Sequence, residues 1–312
     1  MNPREMRGTW LLSSTRMVGV AERFVIPDDL ARAAAGEGRE DWLAELPALV
    51  ARIAADWRIE VGDPFLPGGM TAWVALARDE AGEDFALKVG WPHPEAEREA
   101  DGLRTWDGAG AIRLCQVSEL TEATMLLLER CRPGTQLRAS PPEEHDLVIA
   151  GLLRRLWVKP PPGHRFRPLS DMCDYWANRY EERSPSGRSC LKAPLAKEGI
   201  RLLRALPRSG GDALLLHTDL HAGNVLAAER EPWLAIDPKP YIGDPAYDVT
   251  QHIFNGVFLE GADAEALASR MARLLDLDLN RILLWLFARA VEASPYWRGM
   301  ADLAQTLYPL LT

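Results

Sequence analysis

His217-Thr218-Asp219-Leu220-His221-Ala222-Gly223-Asn224 is followed, thirteen residues after its asparagine, by the aspartate of Ile236-Asp237-Pro238. Phosphoryl transfer from a nucleotide needs such a set of groups: a carboxylate to orient an attacking hydroxyl, and an amide with a second carboxylate to hold Mg²⁺. On this reading Asp219 is the base or orienting residue, and Asn224 and Asp237 are the metal ligands. Magnesium takes few protein oxygens and leaves its other positions to water and phosphate, so two ligands suffice.

Two plainer readings compete. A histidine–aspartate pair is common, and Asp219 could simply cap a turn. His217 and His221 could also begin a zinc-hydrolase cluster, which needs further ligands at coordinating spacing. The other histidines, at 93, 145, 164 and 252, are scattered singly, and no HExxH or CxxC partner exists. The surroundings favour phosphoryl transfer. Residues 213–216 are an apolar run that suits a buried strand leading into the loop. Residues 225–227 and 233–236 flank a polar turn at 229–232, as a hairpin would. Asp219, Asn224 and Asp237 then stand at neighbouring strand mouths. Asp244-Pro245 opens an amphipathic stretch, with Asp244 as N-cap and Pro245 at the first helical position.

A triphosphate site is foreshadowed upstream. Phe65-Leu66-Pro67-Gly68-Gly69-Met70-Thr71 precedes an apolar strand, and paired glycines such as Gly68 and Gly69 let backbone amides approach phosphate oxygens. A Gly-Gly turn alone is usually just a turn. The next strand, Phe85-Ala86-Leu87-Lys88-Val89, sets one lysine in an apolar run. Lys88 could snorkel from a sheet edge; after a glycine turn it looks like the phosphate-binding lysine of a kinase small lobe. The acidic run at 94–103 reads as a helix with proline in its first turn. Glu95 and Glu99 lie one turn apart, and Glu99 is the favoured partner for Lys88.

These pieces resemble the aminoglycoside and hydroxyurea phosphotransferase family, in particular its streptomycin 6-kinase-like members. The resemblance also runs through Trp42-Leu43-Ala44-Glu45-Leu46-Pro47, Lys88-Val89-Gly90-Trp91-Pro92-His93-Pro94-Glu95 and Leu126-Leu127-Leu128-Glu129-Arg130-Cys131. It continues in Asp237-Pro238-Lys239-Pro240-Tyr241 and Gly243-Asp244-Pro245-Ala246-Tyr247-Asp248. In family order these blocks cover nearly all of residues 24–300. The resemblance implies an α+β, two-lobed protein-kinase-like fold: a small antiparallel-sheet N-lobe with one helix, and a larger, mainly helical C-lobe. It implies ATP with Mg²⁺ and transfer of the terminal phosphate to a hydroxyl. Asp219 is then catalytic, Asn224 and Asp237 hold magnesium, and Lys88 with Glu99 serves the phosphates. Glu129, Arg130 and Cys131 belong to a hinge whose backbone meets adenine, and His217 and Asp248 support the catalytic loop. Thr218 stands where protein kinases carry arginine, and Asp-Pro replaces Asp-Phe-Gly, which argues against a protein substrate.

The implied acceptor is a cationic aminoglycoside, streptomycin first, with antibiotic inactivation as the outcome. Kinases of another small alcohol, of the hydroxyurea, sugar, choline or homoserine type, are the in-class alternative. A catalytically silent nucleotide-binding module is the other, although all three of its usual losses (the lysine, the loop aspartate and the metal aspartate) are present here. Tyr175, Trp176 and Tyr180 could stack on a sugar, but their spacing is more often helix core. Acids such as Asp171, Asp174, Glu181, Glu182, Glu260 and Glu292 are candidates for guanidinium pairing, and no acceptor contact is assigned.

The 312-residue length favours two lobes, divided here as a flexible extension at 1–23, an N-lobe at 24–131 and a C-lobe at 132–312. A net charge of −9 disfavours nucleic acid and anionic membranes and mildly suits a cationic substrate. Four cysteines without framework or zinc spacing indicate a reduced, cytoplasmic protein. No run is apolar and long enough to span a bilayer, and a monomer is expected. Ser140-Pro141-Pro142-Glu143 reads as a capping box for a helix running to about residue 157. Further helices are predicted at 40–56, 170–183, 194–206, 245–258, 263–275, 278–293 and 295–309, and strands near 58–66, 71–77, 85–89, 111–117 and 124–130.

Overall fold

Apolar residues at helical spacing build the start of the chain. In the computed structural model, which describes residues 24–94, 96–183, 191–211 and 213–311, Asp28–Glu37 forms α1 and Glu40–Trp57 forms α2. The buried stripe of α2 is Trp42, Leu46, Leu49, Val50 and Ile53, and Arg58 ends it in the left-handed region at φ 52°. Three antiparallel strands follow: β1 (Ile59–Pro64), β2 (Ala72–Asp79) and β3 (Asp84–Gly90). On β2 the inward residues Ala75 and Ala77 are fully buried. On β3 Leu87 and Val89 are buried, and half-buried Lys88 lies between them opposite Val74. Phe24 stacks on Trp73 at 4.9 Å, and the Trp73 indole donates to the Val25 carbonyl at 2.9 Å. These elements form one of two compact units, which ends at Gly90.

The second unit begins at Trp91. It comprises α3 (Glu99–Trp106), the antiparallel pair β4 (Leu114–Glu119) and β5 (Thr124–Glu129), α4 (Pro142–Leu156), α5 (Leu169–Arg183) and α6 (Ala193–Ala205). Then come β6 (Leu214–Leu216), β7 (Val225–Ala227), β8 (Trp233–Ala235) and β9 (Tyr241–Gly243), followed by α7 (Pro245–Asp248), α8 (Thr250–Glu260), α9 (Ala264–Leu275), α10 (Leu279–Ala293) and α11 (Arg298–Leu307). Helix α10 is the core: Ile282, Leu286, Phe287, Ala288, Ala290 and Val291 are completely buried, too many for one face of a surface helix. Gly199 of α6 lets that helix approach, since a methyl group there would lie 2.5 Å from Val291. No helix among the described residues is long and apolar enough to cross a membrane.

Several sequence expectations need correction. The helix expected from 94 begins at Glu99, because Ala96 and Glu99 donate to carbonyls three residues back and leave residues 96–98 as turns. The capping box does not form. Helix α4 starts at Pro142, so the N-cap is Pro141 and Glu143 falls one position early; the Ser140 hydroxyl has no hydrogen-bond partner among the described residues. The helix expected over 245–258 is broken at Val249 into α7 and α8. The expectation for residues 1–23 and the second choice, Glu95, lie outside the described residues.

Candidate active site

Strand β6 buries Leu215 and Leu216 and delivers the chain to the loop that begins at His217. Asp248, 1% exposed, gathers that loop. Its Oδ1 accepts the Thr218 amide at 2.5 Å, while Oδ2 accepts the His217 amide and the Trp157 indole, both at 3.0 Å. Thr218 is thereby held at φ 58°, a conformation costing a β-branched residue about 1–3 kcal/mol. Its hydroxyl donates to the Lys239 carbonyl at 2.5 Å, a second restraint. Burial pushes the Asp248 carboxyl up to about 6, against the three donors that favour its charge.

His217 is fully buried. Its Nε2 lies 3.1 Å from the Ile236 carbonyl, and its Nδ1 is 3.3 Å from the Asp219 amide, which fixes a neutral ring donating through Nε2 and accepting at Nδ1. Burial pushes its pKa down to about 3. With both nitrogens engaged, this ring orients Asp219 and is not a metal ligand. His221 is likewise pushed down, to about 4, by burial and then by the nearby Arg138 guanidinium; its Nδ1 accepts the Gly223 amide at 3.0 Å. A methyl group on Gly223 would meet the Arg138 guanidinium at 1.7 Å and the His221 ring at 2.8 Å, so both side chains pack closely on this glycine.

The structure brings Asp219, Asn224 and the start of the Asp237 loop together. Asn224 donates through Nδ2 to the Asp219 carbonyl at 3.0 Å and to Asp219 Oδ2 at 3.4 Å. Its carboxamide oxygen therefore turns away from Asp219 and suits a hard cation. The β7–β8 hairpin extends one step further, as the Ile236 amide donates to the Asn224 carbonyl at 2.9 Å. Asp237, at φ 55°, emerges beside Asn224. Its charge favours the protonated forms of His217 and His221 and so opposes their burial. One carboxylate and one amide oxygen, both hard donors, fit magnesium better than zinc.

Lys239, which had no role assigned from its sequence context, enters this site. Its Nζ lies 3.1 Å from Asp219 Oδ2, and its amide donates to the His217 carbonyl at 3.0 Å. Asp219 and Lys239 open onto a cavity of about 120 Å³ that is also lined by Trp176, Tyr247, Gln251 and Arg289. The Arg289 guanidinium lies 4.2 Å over Trp176 and 5.4 Å from the Tyr247 ring, donates to the Tyr247 hydroxyl, and has Glu292 at 3.8 Å. The aromatic cluster of the sequence thus divides. Tyr180 is core and Tyr175 is exposed, while Trp176 faces the cavity. Trp176 carried a faint signal as part of that cluster; Gln251 and Arg289 sit on helices distant in sequence and carried none. Of the acids considered, Asp174 pairs with Arg208, Glu181 with Arg204 and Glu260 with His145.

The remaining candidates are placed as follows. Glu129 ends β5, and Arg230 grips its carboxylate at 2.8 and 2.9 Å; its own amide donates to the Arg113 carbonyl. Only its carbonyl is left for a hinge contact. Arg130 is half-buried, and Cys131 is buried, its thiol pushed up to about 12 by desolvation. Glu99 is 4% exposed at the start of α3. In the first unit, Gly68 adopts φ 88°, as only glycine does readily, and a methyl group on Gly69 would press on the Ala72 carbonyl at 3.0 Å.

Comparison with known proteins shows the family and the fold. The family model for aminoglycoside/hydroxyurea antibiotic resistance kinases matches residues 61–300. The streptomycin 6-kinase of Streptomyces griseus is 36% identical over 290 residues, 87% of this chain and 90% of that protein. The hydroxyurea phosphotransferase of Kitasatospora aureofaciens is 34% identical over 263 residues, 82% and 74% of the two chains. Among solved structures, a choline/ethanolamine kinase family protein from Mesorhizobium loti matches with a TM-score of 0.56 at 14% identity, covering 80% of this chain and 88% of that one. At that identity it speaks for the fold, which is the expected α+β protein-kinase-like one.

Proposed function

The chain belongs to the aminoglycoside/hydroxyurea antibiotic resistance kinases, and from that premise we propose that it moves the γ-phosphate of ATP to a hydroxyl of an aminoglycoside, streptomycin first. The observation that carries the reading is the convergence of Asp219 and Asn224, 3.4 Å apart, with Asp237 entering beside them from a hairpin locked to Asn224. Asp219 accepts the proton of the attacking hydroxyl. Asn224 and Asp237 hold Mg²⁺, which when bound neutralises charge on the phosphates. Lys88 and Glu99, with the backbone at Gly68 and Gly69, are the groups assigned to the triphosphate; the hinge at 129–131 takes adenine through its backbone. His217 and Asp248 hold the loop in register. Residues 24–131 serve the nucleotide phosphates, and residues 132–312 supply the catalytic loop, the metal ligands and the acceptor site.

Streptomycin is supported by the relatives and by the acidic chain, whose net charge of −9 suits a cationic acceptor. The protein acts as a cytoplasmic monomer, without nucleic acid or membrane partners. A small neutral acceptor of the hydroxyurea kind is the second reading. The observation in its favour is that Lys239 and Arg289 both line the cavity beside Asp219, so a cationic acceptor must turn its guanidinium groups elsewhere. The test is a panel of acceptors incubated with protein, ATP and Mg²⁺ and read by mass spectrometry. Phosphorylated streptomycin is the expected product; transfer only to hydroxyurea selects the second reading, and transfer to no acceptor rejects both.

A further inference from the structure

We propose that Lys239 is a catalytic residue of the transfer step, an ammonium that neutralises the phosphoryl group as it passes between nucleotide and acceptor; this rests on the phosphotransferase reading above. The stretch from Asp219 to Asn224 contains no lysine or arginine, and its one basic side chain, His221, is turned to cap Gly223. The charge comes instead from the neighbouring loop. Lys239 Nζ stands 3.1 Å from Asp219 Oδ2, with the two side chains 30% and 16% exposed. An ion pair between two free surface side chains would mean little. Here the Lys239 backbone is stitched to the catalytic loop on both sides: its amide donates to the His217 carbonyl, and its carbonyl accepts the Thr218 hydroxyl. Two other cations lie nearby with different contacts. Arg138 presses on Gly223, and Arg289 lies on Trp176 and Tyr247.

The chemistry places a phosphate beside this ammonium. The acceptor hydroxyl gives its proton to Asp219 while its oxygen bonds to the γ-phosphorus. The bond from phosphorus to the β–γ bridging oxygen breaks, and that electron pair leaves on ADP. To deliver its proton the hydroxyl must sit about 2.6–3.2 Å from the Asp219 carboxylate. The phosphorus it attacks, and the equatorial oxygens carrying the spread negative charge, then lie within a few ångströms of Lys239. A cation fixed there before the reaction stabilises the transition state more than bound ATP, because charge and geometry match only during transfer. The same short loop thus supplies a metal ligand, Asp237, and a phosphoryl ligand, Lys239, two residues apart.

The experiment compares wild type with Lys239→Met and Lys239→Arg. Turnover, the KM for ATP and the affinities for ADP and for ADP with magnesium and fluoride, a mimic of the transferring phosphoryl, are measured on each. For Lys239→Met the expected result is a fall in kcat on the order of 10²–10³, with ADP affinity and KM for ATP within about threefold and affinity for the fluoride complex lost in parallel with kcat. Lys239→Arg should recover to within about tenfold of wild type. Thermal unfolding checks that each variant folds, and Lys239→Gln carries the same comparison should methionine disturb the loop. Near-normal turnover, or equal losses of ADP and fluoride-complex affinity, would overturn the proposal by reducing Lys239 to a structural pair. The fluoride measurement needs no productive acceptor, so a wrong acceptor class does not affect it. A wild-type protein that binds the complex no better than ADP would overturn the phosphotransferase reading itself.

Discussion

Asp248→Asn exchanges one carboxylate oxygen for an NH₂ group in a buried site that faces three donors. In the cheaper orientation the remaining oxygen keeps the His217 amide and the Trp157 indole, and the new NH₂ confronts the Thr218 amide. That forfeits one charge-assisted bond, about 1.5–3 kcal/mol. Against this, burial pushes the native carboxyl from 3.8 to about 6, so its ionised form costs the folded state about 3 kcal/mol at neutral pH. Asparagine carries no such cost. The two terms cancel to within about 1–2 kcal/mol, and the unfolding temperature at neutral pH should move by only a few degrees. Turnover should not be spared. Thr218 loses the bond that holds it at φ 58°, Asp219 shifts with it, and misplacement of this size costs on the order of 10²-fold.

The pH dependence gives a second readout of the same substitution. Burial lowers His217 from 6.5 to about 3, so its contribution is present above 6.5 and lost as pH falls, about 2 kcal/mol between pH 7 and pH 5. Asp248, with its folded pKa raised, behaves oppositely: its contribution is full below 3.8 and lost as pH rises through about 6. It returns about 1 kcal/mol over the same descent from pH 7 to 5. The asparagine variant lacks that return and keeps the losses at His217 and His221, so its unfolding temperature should fall more steeply with acid. Unfolding curves from pH 7.5 to 5, with steady-state transfer at neutral pH, test both points. Turnover within about threefold of wild type, or parallel pH curves, would refute the reasoning.

Asp237→Asn should raise the Mg²⁺ concentration needed for half-maximal transfer by about tenfold or more, since one charged ligand of two is lost; a metal titration at fixed ATP checks it. Arg289→Met should raise the acceptor KM by about tenfold or more and leave the KM for ATP unchanged, because the guanidinium packs on Trp176 and Tyr247, which line the cavity beside Asp219; separate substrate titrations distinguish the two. Arg230→Met should cost about 1–3 kcal/mol in chemical denaturation by stranding Glu129. Burial pushes the Glu129 carboxyl up, but the Arg230 guanidinium and the Arg113 amide outweigh it and hold it low. Its stabilisation is therefore present above the ordinary glutamate range and lost as pH falls below it, so the variant's deficit should shrink in acid.

The site was legible in the sequence wherever local chemistry fixes local structure. Asp244 caps Ala246 at 3.0 Å with Pro245 at the first helical position, as its residue types require. The hairpin that joins Asn224 to Asp237 follows from two apolar runs around a polar turn. Other features depend on distant partners. Strand β9 is three residues long and exists because β6 pairs with it, which no periodicity announces. Asp244 also accepts the Trp285 indole and the Arg281 guanidinium, both at 2.5 Å, tying α7 to α10 across nearly forty residues. The failed capping box shows two local signals in conflict, since Pro142 takes the first helical position and moves the start past Ser140. Lys239 and Arg289 carried no assigned role in the sequence, because only tertiary packing brings one to Asp219 and the other onto Trp176.

Under the proposed function, Asp219 drives phosphoryl transfer beside a metal-bound nucleotide without being needed to bind it. The most direct measurement is Asp219→Ala, with nucleotide and magnesium affinity read by calorimetry and phosphate transfer read on the same preparation. Transfer should fall by about 10³-fold or more while nucleotide affinity stays within a few-fold of wild type. Transfer at the wild-type rate in that variant would contradict it.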